Sequence, residues 1–438
     1  MKGLFLYIRF MKIDQLHKKF LECTKVTTDT RNISQNSLFI ALKGERFDAN
    51  EFAKEALEKG SKYAIIDNPK YYIEGKTILV EDSLTTLQEL ANYHRKHLLN
   101  IKVIGLTGSN GKTTTKELFN VVLSKKFNTK ATTGNLNNHI GVPLTLLSFD
   151  NETEIGIVEM GANHQKEIEF LCSIAEPDFG YITNFGKAHL EGFGGVEGII
   201  KGKSEMYQYL DLNSKVAIVN LQDNIQVEKT KNIERFTFCT DGNCDVKIHS
   251  IEANPMVKIT FDNTSIQSNL IGLYNANNIN AAIALGKYFK IPNEAIKNAI
   301  EEYFPNNNRS QIVEKNSNKI ILDAYNANPS SMNAALTNFF QLSESPKMAI
   351  LGDMFELGKE SHREHENLVK TCLNQSEIQF YFIGKHFYGC KNLAKNNIAF
   401  FEDFDNFKNS LQNNLPKDSL LLIKGSRGMS LERTLEIL

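Results

Sequence analysis

The residues Gly108-Ser-Asn-Gly-Lys-Thr113 follow the apolar run Ile101–Leu106 directly, and their types and order could hold a phosphate. Glycines let successive backbone N–H groups curl around an anion, and a helix starting at the next residues adds partial positive charge. In that arrangement Lys112 reaches the β- and γ-phosphates, and the Thr113 hydroxyl can ligate Mg²⁺. Leu118, Val121 and Val122 share one face of the stretch that follows, as a helix requires. The loop is a short form, because the position five residues before Gly111 is Leu106 rather than glycine. An ordinary glycine-rich turn is the bland alternative. Strand, loop, Lys-Thr and helix in that order argue against it.

Three more residues could complete such a site. Glu159 ends the strand-like run Glu154–Val158, and in open α/β sheets ligands gather at the carboxyl ends of strands. Its carboxylate suits Mg²⁺, a hard cation that prefers oxygen, although a lone Glu at a strand end is more often solvated or capping. His189 follows another strand end, near Gly180–Thr183; a metal or phosphate role and a structural one stand level there. Lys203 lies in the stripe Val196, Ile200, Lys203, Tyr207, Leu210, whose helical spacing puts an ammonium in an apolar face. Such a lysine snorkels, loses its proton, or is modified by CO₂ to an anionic carbamate able to ligate Mg²⁺. Spacing alone favours snorkelling.

The elements that must position these residues form three blocks. The first, to about residue 98, alternates strand-like runs (Ser37–Leu42, Tyr63–Ile66, Thr77–Val80) with helical patterns such as Asn50–Lys59. The second carries the strands already named and Val216–Asn220. It ends in an Ala-rich helix, Ala276–Tyr288, and a further helix up to Phe304. Pro305-Asn-Asn-Asn308 then reads as a linker. In the third block Lys319–Leu322, Met348–Leu351, Gln379–Ile383 and Ser419–Ile423 alternate with helical segments. That order predicts an open, mostly parallel sheet with helices on both faces. The expected fold class is α/β throughout.

Bulk properties exclude several classes. A chain of 438 residues implies two to four domains, and 41% hydrophobic with 23% charged residues is ordinary for a globular protein. A formal net charge of −1 gives no electrostatic case for nucleic acid or an anionic membrane as the main partner. The six cysteines form no CxxC pair, so all are expected as reduced thiols in a cytoplasmic protein. The opening MKGLFLYIRF is apolar but short and lacks a small-residue cleavage site; it reads as an upstream start or a short extra arm ahead of Met11. No other segment approaches the ~20 apolar residues of a membrane span.

Taken together, Thr107-Gly-Ser-Asn-Gly-Lys-Thr113, Glu159-Met-Gly-Ala-Asn-His164, His189-Leu-Glu-Gly-Phe-Gly194, Gly202-Lys-Ser-Glu205 and Asn275-Ala-Asn-Asn278 resemble the Mur ligase family. Thr28-Asp-Thr-Arg31, Phe39–Asp48, Asn135–Pro143, Asp323-Ala-Tyr-Asn-Ala-Asn-Pro329, Gly352-Asp-Met-Phe-Glu-Leu-Gly358 and Lys424-Gly-Ser-Arg427 are similar to the branch that adds D-alanyl-D-alanine to a UDP-linked tripeptide. The resemblance covers nearly all of the chain from Met11.

It implies three domains: residues 1–98 for the UDP-linked precursor, 99–309 as a central P-loop, ATP-binding parallel sheet, and 310–438 as a Rossmann-like domain that closes and brings the dipeptide. It implies ATP contacts from Thr107, Gly108, Ser109, Asn110, Gly111, Lys112, Thr113, Thr114, Asn275, Arg309 and Asp323. Two Mg²⁺ would be held by Thr113, Glu159, His189 and a carbamylated Lys203, which with Lys112 form the catalytic set. Asp29, Arg31, Lys43, Gly44, Arg46 and Phe47 would meet the UDP sugar. Asn135, Asn137, Asn138, Tyr325, Asn326, Asn328, Lys424, Ser426 and Arg427 would complete the substrate site. Tyr274 stands where the family often has His, and Asn308 where it often has Gly, which leaves nucleotide contacts less fixed than the reaction class.

The implied enzyme is cytoplasmic and monomeric, with no nucleic-acid partner and no membrane insertion. Its reaction would phosphorylate a carboxylate from ATP and let the dipeptide amine attack the acyl phosphate, with closure about Pro305–Arg309 excluding water. Another amino-acid ligase of the superfamily, or a nucleotide-dependent scaffold, are the alternatives. The third residue of the tripeptide is not encoded legibly.

Overall fold

The computed structural model describes residues 11–306, 308–412 and 414–438. The reading of the first ten residues as an extra arm falls outside them, as does Asn307 of the linker. The chain forms two compact units. One comprises the residues up to Leu106 with Phe127–Gly161 and Glu167–Gly180; the other comprises Thr107–Lys126, Ala162–Lys166 and Tyr181–Leu438.

In the first unit the short β-branched runs become β1 (Val26–Thr27) and β2 (Leu38–Ile40), followed by a hairpin of β3 (Lys43–Gly44) and β4 (Phe47–Asp48). Next come β5 (Tyr63–Ile66) and β6 (Thr77–Leu79). The sheet order is β1-β2-β5-β6, all parallel. Phe39, Ala64 and Ile66 pack on Ala53 and Ala56 of the helix Ala53–Glu58, where small residues let helix and sheet approach. The same unit holds β7 (Lys102–Thr107) up to Leu106, β8 (Thr129–Ala131), β9 (Ile155–Glu159) and the start of β10 (Phe179–Ile182). β9 lies parallel between β7 and β8, so Glu159 is the register partner of Leu106, the residue before Thr107.

The helices Ile13–Leu21 and Ser83–His97 meet in this unit through two buried histidines. His17 Nε2 and His94 Nδ1 are 3.0 Å apart, and His94 Nε2 lies 2.9 Å from the Phe149 carbonyl. A carbonyl only accepts, so His94 donates from Nε2 and receives the His17 proton at Nδ1. Burial, with His94 and His97 adding to it, pushes the His17 imidazole down from 6.5 to about 4.

In the second unit β11 (Val216–Asn220), β12 (Glu234–Cys239) and β13 (Val246–Ala253) pair in parallel. β14 (Met256–Phe261) and β15 (Thr264–Ile271) then extend the sheet antiparallel through tight turns. The remaining strands are β16 (Gln311–Lys315), β17 (Asn318–Asp323), β18 (Lys347–Gly352), β19 (Ile378–Ile383), β20 (Ile398–Phe401) and β21 (Leu420–Lys424). Their order is β16-β17-β21-β18-β19-β20, antiparallel at β16–β17 and parallel elsewhere. Ile320, Leu322, Ile350, Ile383, Leu421 and Ile423 form the core, as near-continuous apolar runs in a covered parallel sheet do. Asp323, Gly352 and Lys424 thereby come to one carboxyl edge. Among the described residues no helix is long and apolar enough to cross a membrane.

Two expectations need correction. The six cysteines are not all free: Cys239 and Cys244 form a disulfide. Cys239 ends β12 and Cys244 precedes β13, and the turn between them, with Gly242 at φ 90°, brings their Cα atoms to 6.0 Å. Cys23, Cys172, Cys372 and Cys390 are thiols outside that disulfide. The stripe through Lys203 is also not one helix face. Helices Val196–Lys203 and Glu205–Leu212 meet at Ser204; Val196, the first residue of its helix, is 42% exposed, while Ile199, Lys203, Met206, Tyr207 and Leu210 are buried.

Candidate functional site

The glycine loop has the geometry its composition implies. Gly111 caps the helix Lys112–Leu123 at φ 80°, and a Cβ there would sit 2.6 Å from Asn278 Oδ1. Gly108, at φ 140°, would drive a Cβ into the Thr183 side chain. Only glycine meets both demands. The segment after β10 braces the loop: Ser109 N–H donates to Asn184 O at 3.0 Å, Asn110 N–H to Asn184 Oδ1 at 3.1 Å, and Thr183 Oγ1 to Asn110 O at 2.6 Å. Ser109 Oγ donates to Gly186 O at 2.6 Å. Lys112 Nζ folds back to within 2.8 Å of Gly108 O. Thr107, Thr113 and Thr114 are buried around it.

Behind the loop, Thr115 Oγ1 donates to Asn278 Oδ1 at 3.1 Å, Asn278 Nδ2 to Asn275 Oδ1 at 2.9 Å, and Asn275 Nδ2 to Ile271 O at 2.8 Å. Asn275 therefore sits buried in a chain of amides that ends under the phosphate-loop helix.

Lys203 does not snorkel. It is 1% exposed, its Nζ lies 3.2 Å from Ala162 O, and it stands 5.0 Å from the Phe193 ring centroid. Gly202 and Gly198 let Phe193 approach that helix. His189 adopts the left-handed region at φ 54° ahead of the short helix Leu190–Phe193, and its Nδ1 bonds the Glu356 carboxylate. The hydrogen bond from His189 holds the Glu356 carboxyl below its usual range.

The carboxyl edge of the six-stranded sheet gathers another group. Lys424, almost fully buried, pairs with Asp323 at 2.6 Å and reaches Asn326 O at 3.3 Å. Asp323 Oδ1 lies 3.3 Å from Ser310 N, and Tyr274 OH and Ser310 Oγ are 2.8 Å apart. The Arg309 guanidinium lies 3.7 Å over the Tyr325 ring, a cation–π contact. Asn328 caps the helix Pro329–Gln341 and places its Nδ2 2.7 Å from Asn110 Oδ1 in the glycine loop. Ser426 Oγ accepts from Phe355 N–H at 3.0 Å, whereas Arg427 turns outward to Glu432 at 2.6 Å.

The remaining candidates belong to the first unit. Glu159 is buried, with its N–H on Thr132 Oγ1 at 3.0 Å and its Oε1 2.8 Å from Asn137 Nδ2. Asn138 Oδ1 caps the turn at Gly141, and Asn135 is exposed. Arg31 and Asp29 form a bidentate pair, whose hydrogen bonds pull the Asp29 carboxyl down to about 2. The β3–β4 hairpin displays Lys43, Gly44, Arg46 and Phe47 on the surface, and Phe47 stacks on Phe52. Lys43 is tied to buried Asp67 at 2.8 Å.

Sequence reasoning missed several partners: Tyr274, Asn184, Lys187 with Glu364 at 2.7 Å, and Glu356. Their signals lie in pairing across 36 to 177 residues, which a single chain pattern does not carry. Among the described residues no three His, Cys, Asp or Glu side chains gather as a metal cluster. Taken singly, the Thr113 hydroxyl and the Glu159 carboxylate are oxygen donors of the kind Mg²⁺ prefers, and the His189 imidazole can act as a nitrogen donor.

Three family models match the chain: the Mur ligase family catalytic domain over residues 22–95, the Mur ligase middle domain over 106–286, and the Mur ligase glutamate ligase domain over 308–427. The UDP-N-acetylmuramoyl-tripeptide–D-alanyl-D-alanine ligase of Bacillus subtilis is 34% identical over 93% of this chain and 91% of its own length. A crystal structure of MurF from Acinetobacter baumannii superposes with a TM-score of 0.85 at 31% identity, over 98% of this chain and 99% of that one. MurF from Thermotoga maritima in complex with ADP gives 0.82 at 26% identity, over 95% and 97%.

Proposed function

The chain belongs to the Mur ligase family and has its three-domain architecture, and we propose that residues 1–98, 99–309 and 310–438 are those domains. It is an ATP-dependent ligase that joins D-alanyl-D-alanine to UDP-N-acetylmuramoyl-tripeptide, a cytoplasmic step of peptidoglycan precursor synthesis. The observation that carries the reading is the loop Thr107–Gly111, whose two glycines admit no side chain and which Asn184 and Asn328 brace.

A carboxylate is a poor electrophile. Transfer of the ATP γ-phosphoryl group to the tripeptide carboxylate yields an acyl phosphate and ADP. The dipeptide amine then attacks that carbonyl, phosphate leaves, and the amine proton passes to solvent. Phosphoryl transfer needs positioning and charge neutralisation more than covalent help from the protein. The N-terminal end of the helix Lys112–Leu123 and the Lys112 ammonium are assigned to supply both. Thr113, Glu159, His189 and a carbamate on Lys203 are the proposed holders of Mg²⁺, which when bound neutralises phosphate charge. The burial of Lys203 supports the carbamate by removing the snorkelling alternative.

Asn275, Arg309 and Asp323 are assigned to ATP. Tyr325, Asn326, Asn328, Lys424, Ser426 and Arg427 are assigned to the dipeptide side. Asp29, Arg31, the β3–β4 hairpin and the Asn135–Asn138 segment are assigned to the UDP-linked substrate. The test is phosphate release from ATP with the UDP-linked tripeptide, compared with no acceptor, D-alanyl-D-alanine, and single amino acids. Release that depends on the dipeptide is expected; release that depends on a single amino acid would replace the acceptor assignment.

A further inference from the structure

His189 receives a partner that the proposed mechanism does not use. Glu356 lies on the loop Asp353–Leu357 after β18, and its carboxylate bonds His189 Nδ1. A carboxylate only accepts, so Nδ1 carries a proton, and in the neutral imidazole Nε2 is then the lone-pair nitrogen. The contact does not stand alone. The Glu191 N–H donates to Glu356 O at 3.3 Å, so the backbones of the two loops meet as well. Gly358, at φ 54°, would place a Cβ 3.1 Å from the Glu191 side chain, so a glycine permits that approach. Lys187, two residues before His189, pairs with the largely buried Glu364 at 2.7 Å.

The Glu356 loop is itself fixed. Met354 N–H donates to His365 Nε2 at 3.0 Å, and Phe355 N–H to Ser426 Oγ at 3.0 Å. Asp353 accepts from the N–H groups of His386 and Phe387 at 3.0 and 2.9 Å.

We propose that Glu356 is a positioning residue for His189: its carboxylate fixes the imidazole tautomer and orientation that present Nε2 to the cation or phosphate side of the site. A ligating histidine commonly gives its other N–H to a carboxylate, and removing that carboxylate costs 10–100-fold in metal affinity or activity, in order of magnitude. The loop carrying Glu356 thereby links the docking of the six-stranded sheet to the readiness of His189. The inference rests on the assignment of His189 to the Mg²⁺ site.

The test titrates Mn²⁺ against the full chain holding a non-hydrolysable ATP analogue and reads the free ion by electron paramagnetic resonance. Glu356→Ala is expected to weaken the more loosely held cation roughly 10–100-fold. Nucleotide affinity and the thermal midpoint should stay near wild type, since the Glu356 side chain is 55% exposed. Glu356→Asp should recover part of the loss. Adding Glu356→Ala to His189→Ala should cost nothing more, because the two act as one unit. Unchanged Mn²⁺ affinity in Glu356→Ala, or losses that add in the double variant, would overturn the proposal. Dipeptide-dependent product from the wild type separates that outcome from failure of the ligase reading itself.

Discussion

Gly111→Ala is the sharpest local perturbation of the phosphate loop. The new Cβ would lie 2.6 Å from Asn278 Oδ1 and 3.1 Å from its Nδ2. Relief to an ordinary contact of about 3.5 Å requires a shift of roughly 0.9 Å. Asn278 cannot move that far and keep both Thr115 at 3.1 Å and Asn275 at 2.9 Å. Two buried hydrogen bonds at about 1 kcal/mol each, with left-handed strain of about 1–2 kcal/mol, give a destabilisation of about 3–4 kcal/mol. If the loop moves instead, a misplacement near 1 Å costs about 100-fold in kcat/KM for ATP. Gly75→Ala is the control: at φ 72°, with nothing within 4 Å of its Cβ, it carries strain alone. It should lose about 1–2 kcal/mol and keep ATP kinetics. Urea unfolding and ATP-dependent phosphate release measure both effects. A Gly111→Ala protein within 1 kcal/mol and twofold of wild type would refute the reasoning.

Other outcomes follow from single sites. Lys203→Ala should abolish turnover and recover part of it with added short-chain carboxylates; full activity without them would exclude the carbamate. Lys424→Met strands Asp323 beside a buried apolar group, and chemical denaturation should show a loss of about 3–5 kcal/mol. The neutral His17–His94 pair binds fewer protons folded than unfolded, so its contribution is complete above pH 6.5 and is lost as pH falls toward about 4. The thermal midpoint should therefore fall between pH 7 and 4.5, and fall less in His17→Gln; equal falls would exclude this origin.

What the chain pattern revealed depended on how local the cause was. Gly108 to Thr113 stand consecutively behind an apolar strand, so the loop was legible from composition and order alone. The apolar face that carries Lys203 was legible from its spacing, but spacing favoured a snorkelling ammonium and the side chain is instead buried. Val196, the first residue of that helix, is exposed, and Tyr207 and Leu210 lie on the next helix beyond Ser204. The antiparallel β14 and β15 went unread, since their alternating polar residues over Met256–Ile271 sit between turns rather than in a long apolar run. Cys239 and Cys244 pair through a tight turn that no CxxC rule detects. Asn110 with Asn328, and His189 with Glu356, are brought together by tertiary packing across 218 and 167 residues. Local propensity says nothing about such pairs.

The most direct test of the central claim labels the terminal carboxylate of the UDP-linked tripeptide with ¹⁸O and follows it through one turnover with ATP and D-alanyl-D-alanine. Mass spectrometry should find the product heavier by the condensed dipeptide and the released phosphate carrying one ¹⁸O, as an acyl phosphate requires. Phosphate with no ¹⁸O, or no product that depends on the dipeptide, would contradict the account.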